Sequence, residues 1–515
     1  MHPCLNVDEI LRLLACELVK SEAKATAVSL ACCCKGFEDP MLDALWATQG
    51  SLLPLLKSFP GDVWNEDECT VSVLAACVLS FLNYPTRKSF KRLPTTVEWA
   101  RFRKYARRMR NLELAVASNP PSPEVFSAMQ LYTVNELLFP NLKTLFLWGI
   151  GRPFLPFIPL FLSPRTTSIY LSFEPDLPNT TISSTITILP TLCPDLQEIA
   201  FYFVTRDPMI TATVSGMLLA ANRNTLRRFE VDSPLTEEAN QVICKLPNLC
   251  SLTVVTERES SLPSASLPNL IKLTVNCDNE GGWPQLFQGA TLGKLESVTF
   301  FLRSEPIGDF LGTFERAALS SSVQDTLSSF CLFASYSWNP NYPSLLSFTQ
   351  LVNLWIDFSC DDGCSSTVDD NIIINLSWAM PKLVTLRLGD EPCDEITTGV
   401  TAKGLLALAH NCLNLSTLCI HFQVASLSVP SATPGMFPNT ESTASMTDCA
   451  LTNLEVGEIS MPEESALTIA LTLIRLFPRI ETIDGADEGW EKVQNAICNS
   501  KGIIDCSSKQ HLTAS

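Results

Sequence analysis

The sequence predicts an α/β solenoid in which short parallel strands alternate with helices along one repeat array. Three observations carry that reading. A short apolar pattern recurs from about residue 109 to the end of the chain, the first 50 or so residues lack it and carry a helical period instead, and the composition supplies a large core. Of the 515 residues, 46% are hydrophobic. A prior of roughly 150 residues per domain would divide such a chain in about three, but a repeat array remains one unit however long it grows.

The repeated pattern is a Pro or similar residue followed by Leu-x-x-Leu-x-Leu, with Val, Ile or Phe admitted at the apolar positions. Its clearest copies are Phe139-Pro140-Asn141-Leu142 through Leu147 and Cys193-Pro194-Asp195-Leu196 through Phe201. Leu246-Pro247-Asn248-Leu249 through Val254 and Leu267-Pro268-Asn269-Leu270 through Val275 match each other closely. Further copies begin at Leu226, Leu295, Leu327, Leu351, Leu383, Leu415, Leu451 and Ile480. Pro164 to Leu171 is a degraded copy, with Thr166 in place of the first Leu, and Met109 to Leu114 reads as the first of the series. The spacing varies from 21 residues between Leu249 and Leu270 to 36 between Leu415 and Leu451.

Alternate side chains of a strand point to opposite faces. Leu145 and Leu147 therefore face one way and Phe146 the other. Helical signals lie between copies: Thr236-Glu237-Glu238-Ala239 leads into Val242 and Ile243, and Thr401 precedes Leu405, Leu406 and Leu408. One strand and one helix per repeat cannot bury an apolar face alone, but stacked in parallel they can. Spacing and pattern together specify a leucine-rich-repeat solenoid, a horseshoe with parallel strands on the concave face and helices outside. The longest interval contains a Ser/Thr/Pro-rich stretch, residues 425–448, which reads as a loop extruded from one repeat.

The outward strand positions form the expected binding surface. Stacking places Phe146, Trp148, Tyr170 and Tyr202 in an early group and Phe301, Phe333 and Trp355 in a later one. Exposed aromatics of this size mark contact sites and anchor binding hot spots. The expectation is that a protein substrate docks on them, with Glu230 and Arg387 fixing its orientation. The competing expectation is that other segments fold over these rings and bury them.

Ahead of the repeats, Val7, Ile10, Leu11 and Leu14 fall at i, i+3, i+4 and i+7 and predict an amphipathic helix. A second helix is expected from Ala25 to Cys34, stopped by Lys35-Gly36, and a third opened by Pro40 and running to Trp46. Three short helices expose too much apolar surface to stand alone. From Arg87 to Arg110 there are ten Lys or Arg against the single acid Glu98, although the whole chain carries −18. Thr95-x-x-Glu98 is a capping box, Trp99, Phe102, Ala106 and Met109 make a buried stripe, and Arg101, Lys104 and Arg108 line another face. That face suits either a phosphate-bearing ligand or ion pairs with the acidic remainder of the chain.

The first 50 residues resemble an F-box. The resemblance rests on Glu9-Ile10-Leu11, on Leu30-x-x-Cys33-Cys34-Lys35-x-Phe37, and on Leu45-Trp46. Leu5-Asn6-Val7 stands where the pattern has Leu-Pro, and Phe37 where Trp is common. Further along, Leu52-Leu53-Pro54-Leu55-Leu56, the Glu98 to Arg110 helix, Leu454-Glu455-Val456-Gly457, Phe477-Pro478-x-Ile480 and Trp490-Glu491-Lys492-Val493 look like a large F-box family expanded in mushroom-forming fungi. The resemblance implies a substrate-recognition adaptor of a Skp–cullin–F-box ubiquitin ligase. Glu9, Ile10, Leu11, Leu14, Leu30, Leu45 and Trp46 would bind the Skp adaptor, and through it a cullin, while the repeats hold a protein substrate. A repeat scaffold with a degenerate F-box and no role in ubiquitination is the alternative. The implied organisation is an F-box-like segment over 1–50, a helical linker with the basic helix over 51–108, repeats over 109–498 and a tail over 499–515.

Other classes find little footing in the sequence. The net charge of −18 opposes a nucleic-acid partner, and no run reaches the roughly 20 apolar residues of a spanning helix. Neither a secretory leader nor a prenylation cysteine is apparent, so the cytosol or nucleus is the expected compartment, with its thiols kept reduced. Among 20 cysteines there is no Cys-x-x-Cys pair. The nearest metal-like constellation, Cys360 and Cys364 with His410, Cys412, Cys419 and His421, places two of its cysteines at repeat core positions, where a thiol packs as a small hydrophobe. No metal, cofactor or catalytic residue is expected: the chain has no Gly-x-Ser-x-Gly, phosphate-binding glycine loop, His-Glu-x-x-His or dinucleotide fingerprint, and four histidines in all.

Overall fold

A computed structural model describes residues 7–64, 89–116, 121–133, 136–203, 207–220, 225–256, 267–277, 292–303, 310–334, 342–358, 368–389, 399–427, 448–456, 466–485 and 488–501. The chain divides into two compact units, Met1–Leu249 and Cys250–Ser515.

In the first unit, three helices (Asp8–Lys20, Lys24–Cys33 and Lys35–Ala47) precede six parallel strands: β1 Thr48–Gln49, β2 Asn111–Ala115, β3 Thr144–Ile150, β4 Ser168–Phe173, β5 Glu198–Tyr202 and β6 Arg228–Pro234. Each strand pairs with the next in chain order. The second unit repeats the arrangement with nine strands: β7 Ser251–Thr256, β8 Lys272–Cys277, β9 Ser297–Leu302, β10 Ser329–Ala334, β11 Asn353–Phe358, β12 Thr385–Leu388, β13 Thr417–Ile420, β14 Asn453–Glu455 and β15 Thr482–Asp484. These too pair in parallel and in order. Every copy of the apolar pattern forms a strand, and the helices expected after Thr236 and Thr401 span Glu237–Ile243 and Ala402–Asn411, each capped by that threonine's hydroxyl. The parallel α/β repeat architecture is thus present in both units.

Register aligns equivalent residues, so inward rows are continuous. Leu112, Leu145, Ile169, Ile199 and Phe229 lie side by side in the first unit, all fully buried. Leu252, Leu273, Val298, Phe330, Leu354, Leu386, Leu418, Leu454 and Ile483 do the same in the second. The turn ahead of most strands is tied by one recurrent device, in which a single carbonyl accepts from two successive N–H groups of the next repeat. The Arg110 carbonyl takes Lys143 N at 2.7 Å and Thr144 N at 3.0 Å, and the Gln197 carbonyl takes Arg227 N and Arg228 N at the same two distances. Val352 holds Val384 N and Thr385 N likewise, at 2.8 and 3.1 Å. Leu155–Phe161, with Pro156 and Pro159, forms a 3₁₀ helix that buries Leu155, Phe157, Ile158 and Phe161.

Four local expectations need correction. Lys35-Gly36 does not end the second helix, because Cys34 adopts an extended conformation and already separates it from the third. The third helix consequently starts at Lys35 and holds Pro40 in its interior, buried. The first helix is rotated from the expected stripe: Leu11 and Ala15 are buried with Leu18 packed beside them, whereas Val7, Ile10 and Leu14 are exposed. Finally, β1 extends the sheet back to Thr48 and Gln49, two polar residues that carry no apolar alternation by which to find them.

The array ends in a fitted cap. The helix Glu488–Ser500 lays Trp490, Val493 and Ile497 over the last repeat, and the buried Gln494 side chain accepts from Ile483 N at 2.7 Å while donating to the Glu481 carbonyl at 2.8 Å. It thereby satisfies backbone groups at β15, the last strand in the order of the described ones. A Cβ on Gly485 would stand 2.7 Å from the Trp490 ring and 2.8 Å from Val456 Cγ2. Gly485→Ala should therefore destabilise this end by about 1–3 kcal/mol through overpacking, seen as faster amide exchange in residues 488–501 with the sheet core unchanged.

Candidate functional site

The outward side chains of β2–β6 form a connected aromatic and carboxylate face. Register sets Glu113, Phe146, Tyr170, Ala200 and Glu230 in one row. In the next row Ala115 lies beside Trp148 and Ser172 beside Tyr202. A bulge after Leu147, with Gly149 at φ +66°, lets β3 change register at its end. Phe146 stacks on Tyr170 at 4.1 Å between centroids, Phe146 and Trp148 lie 6.3 Å apart, and Trp148 meets Tyr202 at 5.4 Å. All four expected aromatics of the early group are therefore in one cluster. Phe146, Trp148 and Tyr202 are half-buried, and Tyr170 is 7% exposed.

The polar atoms of these rings are already directed. Tyr170 donates its hydroxyl to Glu198, Tyr202 donates to Glu230 Oε1 at 2.9 Å, and Trp148 Nε1 donates to Glu113 Oε1 at 3.2 Å. Arg228 holds the other Glu230 oxygen at 3.1 Å and lies 5.8 Å from the centre of the Tyr170 ring. Burial and the hydrogen bond to Glu198 push the Tyr170 hydroxyl up to about 12. Burial and Glu230 raise Tyr202 as well. Glu230, expected to orient a ligand, is thus bound within the face by Tyr202 and Arg228.

In the second unit Phe301 and Phe333 are neighbours across β9 and β10, and Trp355 and Arg387 across β11 and β12. Phe301 stacks on Phe333 at 4.9 Å, and Phe333 meets the Trp355 ring edge-on at 5.0 Å. Arg387 lies 4.8 Å from the Trp355 centroid and bonds Glu455 at 2.5 Å, so this cation is engaged inside the face. The later group also assembles as a cluster. Glu198 and Arg228 were not among the expected site residues, although extending the outward rows one position back along β5 and β6 reaches both.

The candidate adaptor-binding residues separate into two sets. Glu9, Ile10 and Leu14 are exposed, joined by Val7 and by Leu13, which is 67% exposed. Leu11 is a correction: at 4% exposure it belongs to the core of the three helices, where Leu30 and Leu45 also pack. Trp46 stacks on Tyr105 at 4.7 Å and so joins this segment to the basic helix, Thr96–Ala106.

On that helix the expected stripe is buried, and Thr95 and Glu98 close the capping box. Arg92 and the Thr95 backbone hold Glu98 down at about 2. The cations flanking the stripe are spent on carboxylates. Lys104 bonds Glu38 at 3.0 Å, Arg103 bonds Glu136 at 2.5 Å, and Arg108 bonds both Asp39 and Asp43. Asp43 is held in addition by Arg12 at 2.8 Å. Of the expected face, Lys104 and Arg108 are therefore in ion pairs, whereas Arg101 is exposed with no ion pair among the described residues.

The described residues contain no group of His, Cys, Asp and Glu suited to a metal. Cys412 and Cys419 are buried at core positions, and burial pushes the Cys412 thiol up to about 12. Cys360, Cys364 and most of the 425–448 loop fall outside the described residues. The expectation of free thiols fails at Cys498, which is disulfide-bonded. No described helix is long and apolar enough to cross a membrane. Compared with known families and with curated proteins, the chain matches none.

Two measurements follow from these positions. Tyr170→Ala should cost about 2–4 kcal/mol of stability, as for a large-to-small change in a packed site, whereas Trp148→Ala should leave Tm within a few degrees of the parent. Equal losses would place Trp148 in the core. Arg108→Ala should weaken attachment of the three helices by about 1.5–3 kcal/mol, read by hydrogen exchange over residues 8–47. The Asp39 carboxyl is held below its usual value chiefly by its bond to Arg108. Its contribution is therefore complete above the ordinary carboxylate range and is lost as pH falls through and below it, so exchange in this segment should rise on acidification.

Proposed function

We propose that the chain is a substrate-recognition adaptor of a Skp–cullin–F-box type ubiquitin ligase, acting by binding and without catalytic residues of its own. The observation that supports this most directly is the apolar row Val7, Ile10, Leu13 and Leu14 on the first helix. The three-helix core closes without these residues, since Leu11, Ala15, Ala27, Phe37 and Met41 fill it. Burying each exposed leucine or isoleucine against a partner would contribute about 1.5–3 kcal/mol, enough for the apolar centre of a specific interface.

In this reading the exposed row meets the Skp adaptor. Leu11, Leu30, Leu45 and Trp46 hold the row in place from behind. A protein substrate docks on the aromatic strand faces, which lie on different elements from the adaptor row, and the complex works in the cytosol or nucleus. The scaffold alternative shares the docking faces and lacks the adaptor contact.

The experiment is co-purification with the Skp adaptor and cullin. Ile10→Asp combined with Leu14→Asp should abolish it while the far-ultraviolet circular dichroism and Tm stay at parent values. Retained co-purification by this folded variant would remove the row from the interface, and a parent chain that captures no adaptor would leave the scaffold reading.

A further inference from the structure

We infer that the strand face of β2–β6 is selective for a cationic segment of its protein partner, recognised through arginine or lysine side chains. This deepens the docking reading of the first unit and rests on it.

The inference starts from the hydrogen-bond inventory of the rings. Each polar hydrogen of Trp148, Tyr170 and Tyr202 is already donated to a glutamate, namely Glu113, Glu198 and Glu230 respectively. An ionised glutamate accepts and does not donate. What these rows offer to a partner is therefore ring faces, which carry the negative end of an aromatic quadrupole, and carboxylate oxygens with lone pairs left over. Both attract a positively charged donor, and neither suits a carboxylate or a phosphate.

The face itself contains an example of such recognition. Arg228 lies over Tyr170 and bonds Glu230, so a guanidinium is already accommodated by one ring and one carboxylate of the set. Among the described residues it leaves an excess of negative charge on the face, because Glu113, Glu198 and Glu230 stand against this one cation. Among the described residues no Lys or Arg stacks on Trp148 or Tyr202, and these two half-buried rings, 5.4 Å apart, stand between Glu113 and Glu230. The basic residues Arg110, Lys143 and Arg227 sit in the turns one position ahead of β2, β3 and β6, outside the aromatic rows. The second unit differs, since Arg387 already occupies the face of Trp355 at 4.8 Å. Among the described residues, the cation position with no occupant is thus the one beside Trp148 and Tyr202.

The test uses the full chain and two labelled peptides of ten residues, one alternating Gly with Arg and one alternating Gly with Glu, with binding read by fluorescence anisotropy at physiological ionic strength. The Gly-Arg peptide should bind and the Gly-Glu peptide should not, and a Gly-Lys version separates guanidinium from ammonium preference. Because a chain of net charge −18 attracts any polycation, the variants decide the matter. Trp148→Ala and Glu113→Gln should each weaken Gly-Arg binding by roughly fivefold to tenfold, while Glu481→Gln, distant in sequence and on β15's leading turn, should leave it unchanged. Equal loss in all three variants, or none in the first two, would assign the binding to general charge and overturn the inference. Gly-Glu binding that depends on Trp148 would overturn the cationic class and keep the docking face. Adaptor capture through Ile10 is read separately, so failure of the ligase proposal and failure of this one are distinguishable.

Discussion

Everything in this protein depends on keeping parallel strands in register so that each apolar residue lies beside its equivalent in the next repeat. A slip of one residue would turn Leu145 outward and Phe146 inward, and so on for every strand, because side chains alternate with a period of two. The buried rows of Leu, Ile, Val and Phe in each unit make that slip costly. The same register that builds the core builds the outer rows without further instruction. Phe146 meets Tyr170, and Phe301 meets Phe333, since each pair occupies equivalent positions of adjacent repeats.

That coupling explains why the sheet and its outward rows were legible in the sequence and why other features were not. The repeat spacing located strands even where the motif is weak, as at Thr166, which replaces a leucine and is still fully buried. It also grouped the aromatics correctly. What it could not give was the use of each polar atom within the face. Whether Glu230 awaits a ligand or accepts from Tyr202 depends on ring orientation, which alternation does not encode. The N-terminal helices were harder because they have no neighbouring copies to calibrate them. Val7, Ile10, Leu11 and Leu14 satisfy a helical period, yet the period permits a rotation of the buried stripe. The packing of Leu11 against Phe37 and Met41 selects it. Similarly, no composition rule distinguishes Cys34 as the break between two helices; its extended backbone does.

The charge distribution has a consistent role beside this apolar framework. The basic segment of an otherwise acidic chain fastens the three-helix segment to the helix Thr96–Ala106 and that helix to the turn at Glu136. Surface pairs of this kind contribute little singly, about 0–1 kcal/mol. Here they act together with the Trp46–Tyr105 stack and with β1, whose Thr48 and Gln49 pair with Asn111 and Leu112. The three helices are thereby held at the beginning of the sheet by ring, ion pair and backbone at once, while Val7, Ile10, Leu13 and Leu14 stay exposed among the described residues.

The paired amides on one carbonyl ahead of most strands have a consequence for how such a chain changes over generations. The paired bonds between neighbours within a unit are made by backbone groups, joined at some turns by a Ser or Thr hydroxyl, so they form whether Lys143, Gln197 or Val384 supplies the carbonyl. A repeat removed as a whole leaves two ends that still match, and a repeat copied as a whole inserts with both of its joints satisfied. Exchange between whole repeats within one unit therefore keeps the backbone bonds on both sides. The array behaves as a string of interchangeable cassettes, and the outward residues carried on each cassette can be reshuffled without renegotiating the core.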